Sequence, residues 1–308
     1  TSNDKEVVGD VTNPRGLYQG GDFKGVTAKL DYLKELGVDS IWLTPIVENI
    51  HQNVGSATDG EYYAYHGYWA SNFEELNPHL GSLADFHELI DAAAEKGINI
   101  IVDVVLNHAG YGTEETFAGM VRTKEEDKQG DDQLGSLSGL PDFKTEEATV
   151  RNQLVDWQAS WLESSRTAKG NSIYGFRVDT VKHVDDTTWQ HFKNELVDRD
   201  HDFHLIGETW GANYKDTKGD LGIGTMDSLL DFGFKDIAKY LVNGQLKAAG
   251  KELEERSKVL TRAASLGQFL GSHDEDGFLY SLGGAEKEGN LDKLKLAASL
   301  LITAKGQP

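Results

Sequence analysis

The sequence GFRVDTVKH, residues 175–183, begins as a short apolar run and then presents a carboxylate followed by basic side chains. Three other strings join an apolar run to a carboxylate in the same way: DVVLNH (103–108), GETW (207–210) and LGSHDED (270–276). Short apolar runs of this length are typical of buried strands. The pattern therefore predicts that Asp179, Glu208 and Asp274 follow separate strands, where the loops of a parallel barrel converge on one substrate.

Short apolar runs alternate with longer helical patterns along the chain, which is typical of repeated βα units. The predicted strands are residues 40–44, 98–105, 174–178, 203–207, 226–230 and 268–271. The predicted helices are residues 26–36, 83–96, 149–165, 187–198 and 291–304. In the first helix Leu30, Leu33 and Leu36 share one face, and in the second Ser82 and Asp85 have the spacing of a capping box.

This repetition predicts an α/β fold, either a (β/α)8 TIM-type barrel or a doubly wound parallel sheet. No glycine-rich dinucleotide fingerprint follows an early strand, which argues against a nucleotide-binding sheet. Polar residues follow several different strands, as in barrel enzymes, which place their chemistry at the carboxyl ends of strands. The barrel is therefore the favoured fold.

The composition excludes several classes of protein. A chain of 308 residues, 38% of them hydrophobic, can bury a large core and fits one large domain. A formal net charge of −21 would repel phosphate backbones, so no nucleic-acid partner is expected. The absence of cysteine excludes disulfides and thiolate metal sites, and no apolar run reaches the roughly 20 residues of a membrane span. This acidic composition suits an enzyme that acts on a neutral polymer, and no membrane partner is expected.

Taken together, the four strings resemble the conserved regions of the α-amylase family of glycoside hydrolases, in the family's order and spacing. The resemblance covers nearly the whole chain and implies a barrel with a small irregular domain inserted after strand 3. Residues 1–108 and 145–308 then form the barrel domain, and residues 109–144 form the inserted domain. The first and eighth strands are expected to be missing from this chain. The rest of the barrel would come from a longer chain or a second polypeptide.

The resemblance also implies the catalytic groups. Retaining glycosidases use a carboxylate nucleophile and a second carboxyl group that acts as acid and then as base, about 5–5.5 Å apart. Asp179 matches the nucleophile, Glu208 the acid/base, and Asp274 a third carboxylate that grips sugar hydroxyls and helps to distort the ring. Arg177 lies two residues before Asp179, so its side chain points to the same side and can orient the nucleophile.

Further residues match substrate-binding positions of the family. His66, His108 and His273 resemble histidines that hydrogen-bond the sugar in the cleavage subsite, and Lys182 and His183 resemble residues that flank the next subsite. The rings of YHGYW, residues 65–69, can stack on the apolar faces of sugars. The predicted substrate-binding set is Tyr65, His66, Trp69, Asp103, His108, Arg177, Lys182, His183, Trp210 and His273.

Two calcium (Ca2+) sites are implied as well. Calcium binds six to eight oxygens from carboxylates, amides and backbone carbonyls. The predicted ligands of a central ion that ties the insert to the barrel are Asn107, Asp142 and the carbonyl of His183. The predicted ligands of a second ion near the amino terminus are Asn3, Asp4, the carbonyl of Gly20, and Asp22.

The function that this resemblance implies is retaining, endo-acting hydrolysis of α-1,4-glucosidic bonds in starch-like α-glucans by a secreted, extracellular bacterial enzyme. An amylopullulanase or a neopullulanase-like enzyme acting on pullulan is an alternative, and a glucan-transferring member is another. A non-catalytic carbohydrate-binding relative is disfavoured because Asp179, Glu208 and Asp274 are all present. One departure from the family pattern is Ser272, where Asn usually precedes the His-Asp pair.

Overall fold

The computed structural model describes residues 7–8, 16–56, 60–215, 224–262 and 265–308. It divides into two compact units, Thr1–His204 and Leu205–Pro308. The predicted calcium ligands Asn3 and Asp4 lie outside the described residues. The described residues include no helix that is both long enough and apolar enough to cross a membrane.

The first unit alternates strands and helices. Its strands are β1 (Val7–Val8), β2 (Tyr18–Gln19), β3 (Ser40–Leu43), β4 (Val47–Asn49), β5 (Ala70–Leu76), β6 (Asn99–Val104) and β7 (Gly175–Val178). Its helices are α1 (Phe23–Thr27), α2 (Leu30–Leu36), α3 (Leu83–Glu95), α4 (Ala148–Ser164) and α5 (Asp186–Arg199). Strands β3, β6 and β7 pair in parallel in that order, as predicted for βα repetition.

The strands of this parallel sheet are built from residues that tolerate close packing on both faces. The last five residues of β6 are buried, as expected for a strand covered on both sides. Gly175 opens β7 where a Cβ would lie 2.3 Å from the carbonyl oxygen of His204, so only glycine fits at this close approach. The sheet therefore brings the chain ends that follow β6 and β7 to the same edge.

The helix predictions are confirmed in part. The capping box of α3 is present, with Ser82 accepting from the Asp85 N–H and Asp85 accepting from the Ser82 N–H. The predicted single helix over 26–36 is instead two helices: α1 begins earlier, where Asp22 caps it, and ends at Thr27, and α2 begins at Leu30. Leu30 is fully buried, but Leu36 is 66% exposed, so the predicted shared apolar face does not extend to the end of α2.

Two regions of the first unit depart from the βα pattern. Strands β4 and β5 form an antiparallel pair that the sequence analysis did not predict. Between β6 and α4, turns replace regular elements, and two isolated antiparallel bridges join His108 to Asp142 and Val121 to Phe143. The first of these bridges joins the two ends of the predicted insert.

The second unit contains three more parallel strands. Its elements are β8 (His204–Gly207), β9 (Ser228–Asp231), α6 (Phe234–Val242), α7 (Leu246–Val259), β10 (Leu266–Gln268), α8 (Phe278–Ser281) and α9 (Asn290–Thr303). Strands β8 and β10 both pair with β9. Helices α6 and α7 were not predicted. The buried Arg256 of α7 donates to Asp231 at 2.9 Å and to Gln268 at 2.7 Å, which fastens this helix to β9 and β10.

Candidate active site

The site in the first unit is set by the register of three strands. Asp103 of β6 is opposite Arg177 of β7, and Trp42 of β3 is opposite Ile101, two residues before Asp103. Side chains two residues apart on a strand share a face. Trp42, Asp103 and Arg177 therefore lie side by side, and Asp179 follows at the end of β7.

A buried ion-pair network joins these residues. Nη1 of Arg177 lies 3.1 and 3.0 Å from the two carboxylate oxygens of Asp103 and 2.6 Å from Oδ1 of Asp179. Arg177 and Asp103 are almost completely buried, whereas Asp179 is 7% exposed. Burial raises the pKa of Asp103 to about 7, although the neighbouring Arg177 opposes this shift. The predicted contact between Arg177 and Asp179 is thus present.

Two further aromatic residues complete the network, and neither was among the predicted site residues. The hydroxyl of Tyr68 donates to Oδ2 of Asp103 at 2.5 Å, and Nε1 of Trp42 donates to the same oxygen at 3.1 Å. Burial and the charge of Asp103 raise the pKa of Tyr68 far above its usual value, so its hydroxyl stays a donor. A site role for Tyr68 could have been predicted from its position in YHGYW. The sequence around Trp42 is that of an ordinary strand and gives no such signal.

The backbone is strained directly after Asp179. Thr180 has φ 50° and ψ 42°, the left-handed conformation that β-branched residues rarely adopt. Residues in such conformations cluster at functional sites, where the surrounding structure holds them in place. The Asp179 N–H donates to the carbonyl of Val104 at 3.0 Å, so the neighbouring strand fixes the backbone of the candidate nucleophile.

The predicted histidines of this unit lie in different surroundings. His108 is 4% exposed, and burial lowers its pKa. Asn107 Nδ2 lies 3.2 Å from His108 Nδ1. Nδ1 of His66 accepts from the Tyr68 N–H at 3.1 Å, across Gly67 with φ 89°. A side chain at Gly67 would also approach the carbonyl of Pro45 to 2.6 Å, so glycine is required to place His66 and Tyr68.

Aromatic side chains form a cluster beside this network. Trp69 is half-buried between His66, at a ring distance of 4.4 Å, and Tyr111, at 5.1 Å. Tyr65 is 41% exposed and lies 5.8 Å from Tyr62, a residue that was not predicted to take part. Tyr65 therefore exposes part of its ring to solvent, whereas Trp69 is held mostly by protein.

Lys182 and His183 follow the candidate nucleophile on a 3₁₀ turn and contact the predicted insert. Nζ of Lys182 lies 3.4 Å from a carboxylate oxygen of Asp132, and Nδ1 of His183 lies 2.7 Å from its carbonyl oxygen. The two side chains thus join the segment after β7 to the segment between β6 and α4.

The second unit holds the other predicted catalytic carboxylates. Glu208 follows β8 and is 6% exposed. A cavity of about 380 Å³ is lined in part by Trp210, Asp274 and Lys235. Trp210 is 51% exposed, and its ring is tilted against that of Phe232 with 4.9 Å between the ring centres.

Polar contacts organise the rim of this cavity. Nε2 of His273 lies 3.1 Å from Oδ2 of Asp274, and Lys235 forms an ion pair with Glu275. The first unit thus brings together Asp103, Arg177 and Asp179, and the second brings together Trp210 and Asp274 around one cavity.

The contacts of Asp142 do not fit the predicted central calcium ion. Oδ2 of Asp142 accepts from Nε of Arg122 at 2.8 Å, and the same guanidinium makes two contacts of 2.7 and 2.6 Å with Glu146. Burial raises the pKa of Asp142 to about 7, although Arg122 opposes this shift. A cation already faces the carboxylate, and it would repel a second one.

The structure gives little support to the second predicted calcium ion, the one near the amino terminus. Oδ1 of Asp22 accepts from the Gly25 N–H at 2.6 Å as the cap of α1, and Gly20 has φ 78°. Among the residues that the structure describes, no cluster of three or more His, Asp or Glu side chains is arranged to hold a metal ion. Calcium at the amino-terminal site stays a prediction.

Comparisons with known proteins identify a family and solved structures that share this architecture. The chain matches the family model of the alpha amylase catalytic domain over residues 2–132 and 134–308. It is 28% identical to the periplasmic alpha-amylase of Escherichia coli K12 and 28% identical to neopullulanase 2 of Thermoactinomyces vulgaris, in each case over 94% of this chain. Among solved structures, alpha-amylase from Geobacillus thermoleovorans in complex with acarbose is similar with a TM-score of 0.78 over 97% of this chain, at 32% identity.

The relatives are longer than this chain. It spans 54% of the Escherichia coli protein, 48% of neopullulanase 2 and 65% of the Geobacillus thermoleovorans chain. The cyclomaltodextrin glucanotransferase CldA is similar with a TM-score of 0.80, and this chain covers 69% of it at 25% identity. These matches confirm the barrel fold that the sequence predicted.

Proposed function

Because the chain belongs to the alpha-amylase catalytic-domain family, we propose that it carries a retaining, endo-acting hydrolase activity toward α-1,4-glucosidic bonds of starch-like α-glucans. The observation that carries the proposal is the buried Asp103–Arg177–Asp179 network at the end of β7. An enzyme of this kind needs a carboxylate held in one orientation to attack the anomeric carbon. The 2.6 Å contact of Asp179 with Arg177 supports that role.

The proposed chemistry proceeds in two displacements. Asp179 attacks the anomeric carbon and forms a glycosyl-enzyme ester while the bond to the leaving oxygen breaks. Glu208 gives its proton to that oxygen, and the shortened glucan departs. Water then attacks the same carbon, Glu208 takes the proton of the water, and Asp179 is released unchanged.

The other predicted residues divide into two roles. We assign Asp103 and Arg177 to holding Asp179, because both are almost completely buried and are bonded to each other. Tyr65 and Trp210 are 41% and 51% exposed, and this supports stacking of their rings on sugars. Asp274 lines a cavity of about 380 Å³, which supports a role in gripping sugar hydroxyls.

A second candidate is a neopullulanase-like enzyme. Neopullulanase 2 is as similar to this chain, at 28% identity, as the Escherichia coli alpha-amylase is. Both activities use the same carboxylate chemistry, and they differ in which bond of which glucan reaches it. The relative named as periplasmic supports a secreted protein, and we extend that to this chain as part of the proposal.

The test is a product profile of the full-length protein on amylose and on pullulan, with Asp179→Asn as the inactive control. Short maltooligosaccharides from amylose with pullulan untouched would support an α-amylase. Panose from pullulan would support the neopullulanase-like alternative, and maltotriose would show cleavage of α-1,6 bonds. Binding of amylose without any product would overturn the hydrolase assignment in favour of a binding protein.

A further inference from the structure

The indole of Trp42 touches both members of the buried ion pair that holds the candidate nucleophile. Its Nε1–H donates to Oδ2 of Asp103 at 3.1 Å. Its ring lies under the guanidinium of Arg177, with 4.8 Å between Cζ and the ring centre. One side chain thus supplies a hydrogen bond to the anion and a flat face to the cation.

The Trp42 ring adds an aromatic contact to the hydrogen bonds that hold the guanidinium of Arg177. Arg177 reaches Asp103 and Asp179 through the same nitrogen, Nη1, at distances of 2.6 to 3.1 Å. An aromatic face packed against a planar guanidinium resists tilting of its plane, because stacking and cation–π attraction depend on the relative orientation of the two groups.

The position of Trp42 follows from strand register. It lies on β3, opposite Ile101 of β6, and therefore on the same face as Asp103 two residues later. Tyr68 also donates to Asp103, but its ring centre is 5.9 Å from Cζ of Arg177. Trp42 is the closer of these two aromatic contacts to the cation.

We propose that Trp42 is a positioning residue for hydrolysis, acting on Asp179 through the Asp103–Arg177 pair. The inference rests on the proposed function, in which Asp179 is the nucleophile. A nucleophile displaced by about 1 Å can lose about 100-fold in rate, so the orientation of Arg177 has a direct effect on turnover. We therefore expect a change at Trp42 to lower kcat more than it raises KM.

The experiment compares Trp42→Phe, Trp42→Leu, Arg177→Lys and the Trp42→Leu/Arg177→Lys double variant in the full-length protein. Steady-state kcat and KM are measured on a maltooligosaccharide, and circular dichroism reports the folded fraction. Trp157→Leu is the matched control, since Trp157 packs on Phe73 at a ring distance of 5.5 Å, within α4 and away from the network.

We expect Trp42→Leu to lower kcat by about 10- to 100-fold with KM nearly unchanged. Trp42→Phe keeps a ring under Arg177 but loses the N–H donor, so its kcat should fall between that of Trp42→Leu and that of the wild type. The double variant should be no slower than the slower single variant, because both changes act on the same group. Trp157→Leu should keep the kcat of the wild type.

Other outcomes would overturn the inference. Independent, multiplicative losses in the double variant would mean that Trp42 does not act through Arg177. A loss of kcat in Trp42→Leu that merely follows the folded fraction, or that Trp157→Leu matches, would show a structural role only. If the proposed function itself is wrong, Asp179→Asn should keep its activity. That result distinguishes failure of the proposed function from failure of the inference about Trp42.

Discussion

Arg177 Nη1 lies 2.6 Å from Asp179 Oδ1, and the two side chains are separated by one residue of the same chain segment. This contact couples the candidate nucleophile to a cation that is itself buried against Asp103. The geometry explains why an arginine stands here, because a lysine carries a compact ammonium that cannot present a planar group to its partners.

Replacing Arg177 with lysine should therefore lower kcat by about 100-fold while the protein stays folded. The measurement is steady-state hydrolysis of a maltooligosaccharide, with thermal melting as the check on folding. Arg199→Lys is the matched control, because Arg199 of helix α5 pairs with Glu195 of the same helix and with Glu163 of α4. Equal kcat for the two variants would argue against a role for Arg177 in orienting Asp179.

Glu208→Gln should lower turnover of unactivated glucans by about 100- to 10,000-fold, because an amide cannot protonate the leaving oxygen. A substrate with a good leaving group needs no such proton, so an aryl maltoside should lose much less of its rate in the first step. Comparing the two substrates in one variant isolates the acid role. Identical losses on both substrates would contradict it, and Glu195→Gln on α5 is the matched control.

Asp103 makes stability depend on pH in a definite direction. Its pKa of about 7 in the folded protein lies above the ordinary value of 3.8 for an aspartate. Between these values the folded state binds a proton that the unfolded state has released, so the unfolding free energy contributed by this group falls as pH rises. Asp103→Asn lacks this term, and its stability relative to the wild type should improve from about pH 4 to pH 8. Urea unfolding at several pH values checks this, and a constant difference would refute it.

Arg122→Leu should lower the unfolding free energy by about 3–5 kcal/mol, because it leaves Asp142 buried without its partner. Thermal melting of the full-length protein, with and without a chelator, is the measurement. We expect chelator to shift the melting temperatures of the wild type and of Asp142→Asn equally, because a guanidinium already faces Asp142. A chelator effect that is large in the wild type and lost in Asp142→Asn, with no loss of stability in Arg122→Leu, would restore the calcium expectation for Asp142. Arg199→Leu controls for the loss of an arginine.

The local features of the fold could be predicted because they depend on neighbouring residues. The capping box of α3 needs only Ser82 and Asp85. That Arg177 and Asp179 point to the same side follows from the alternation of side chains along a strand. The apolar runs predicted all six strands of the parallel pairings, although β10 begins two residues earlier than expected, at Leu266.

The remaining features depend on which strands and loops become neighbours, and spacing along one chain does not reveal that. Trp42 and Asp103 are 61 residues apart, and their contact depends on the lateral register of β3 with β6. Arg122 and Asp142 are 20 residues apart within irregular structure, where no periodicity links them. Electrostatic partners of this kind follow only from the folded arrangement.

Arg122 has a consequence for how the segment between β6 and α4 is held. An ion from solution is bound according to mass action, so its occupancy falls whenever its concentration falls below the dissociation constant. The guanidinium of Arg122 is part of the chain, and its hydrogen bonds to Glu146 and Asp142 raise its pKa despite its burial. Each folded molecule therefore carries this cation in fixed stoichiometry. The link that Arg122 makes between Asp142 and Glu146 does not depend on dilution or on the concentration of any metal ion in the medium.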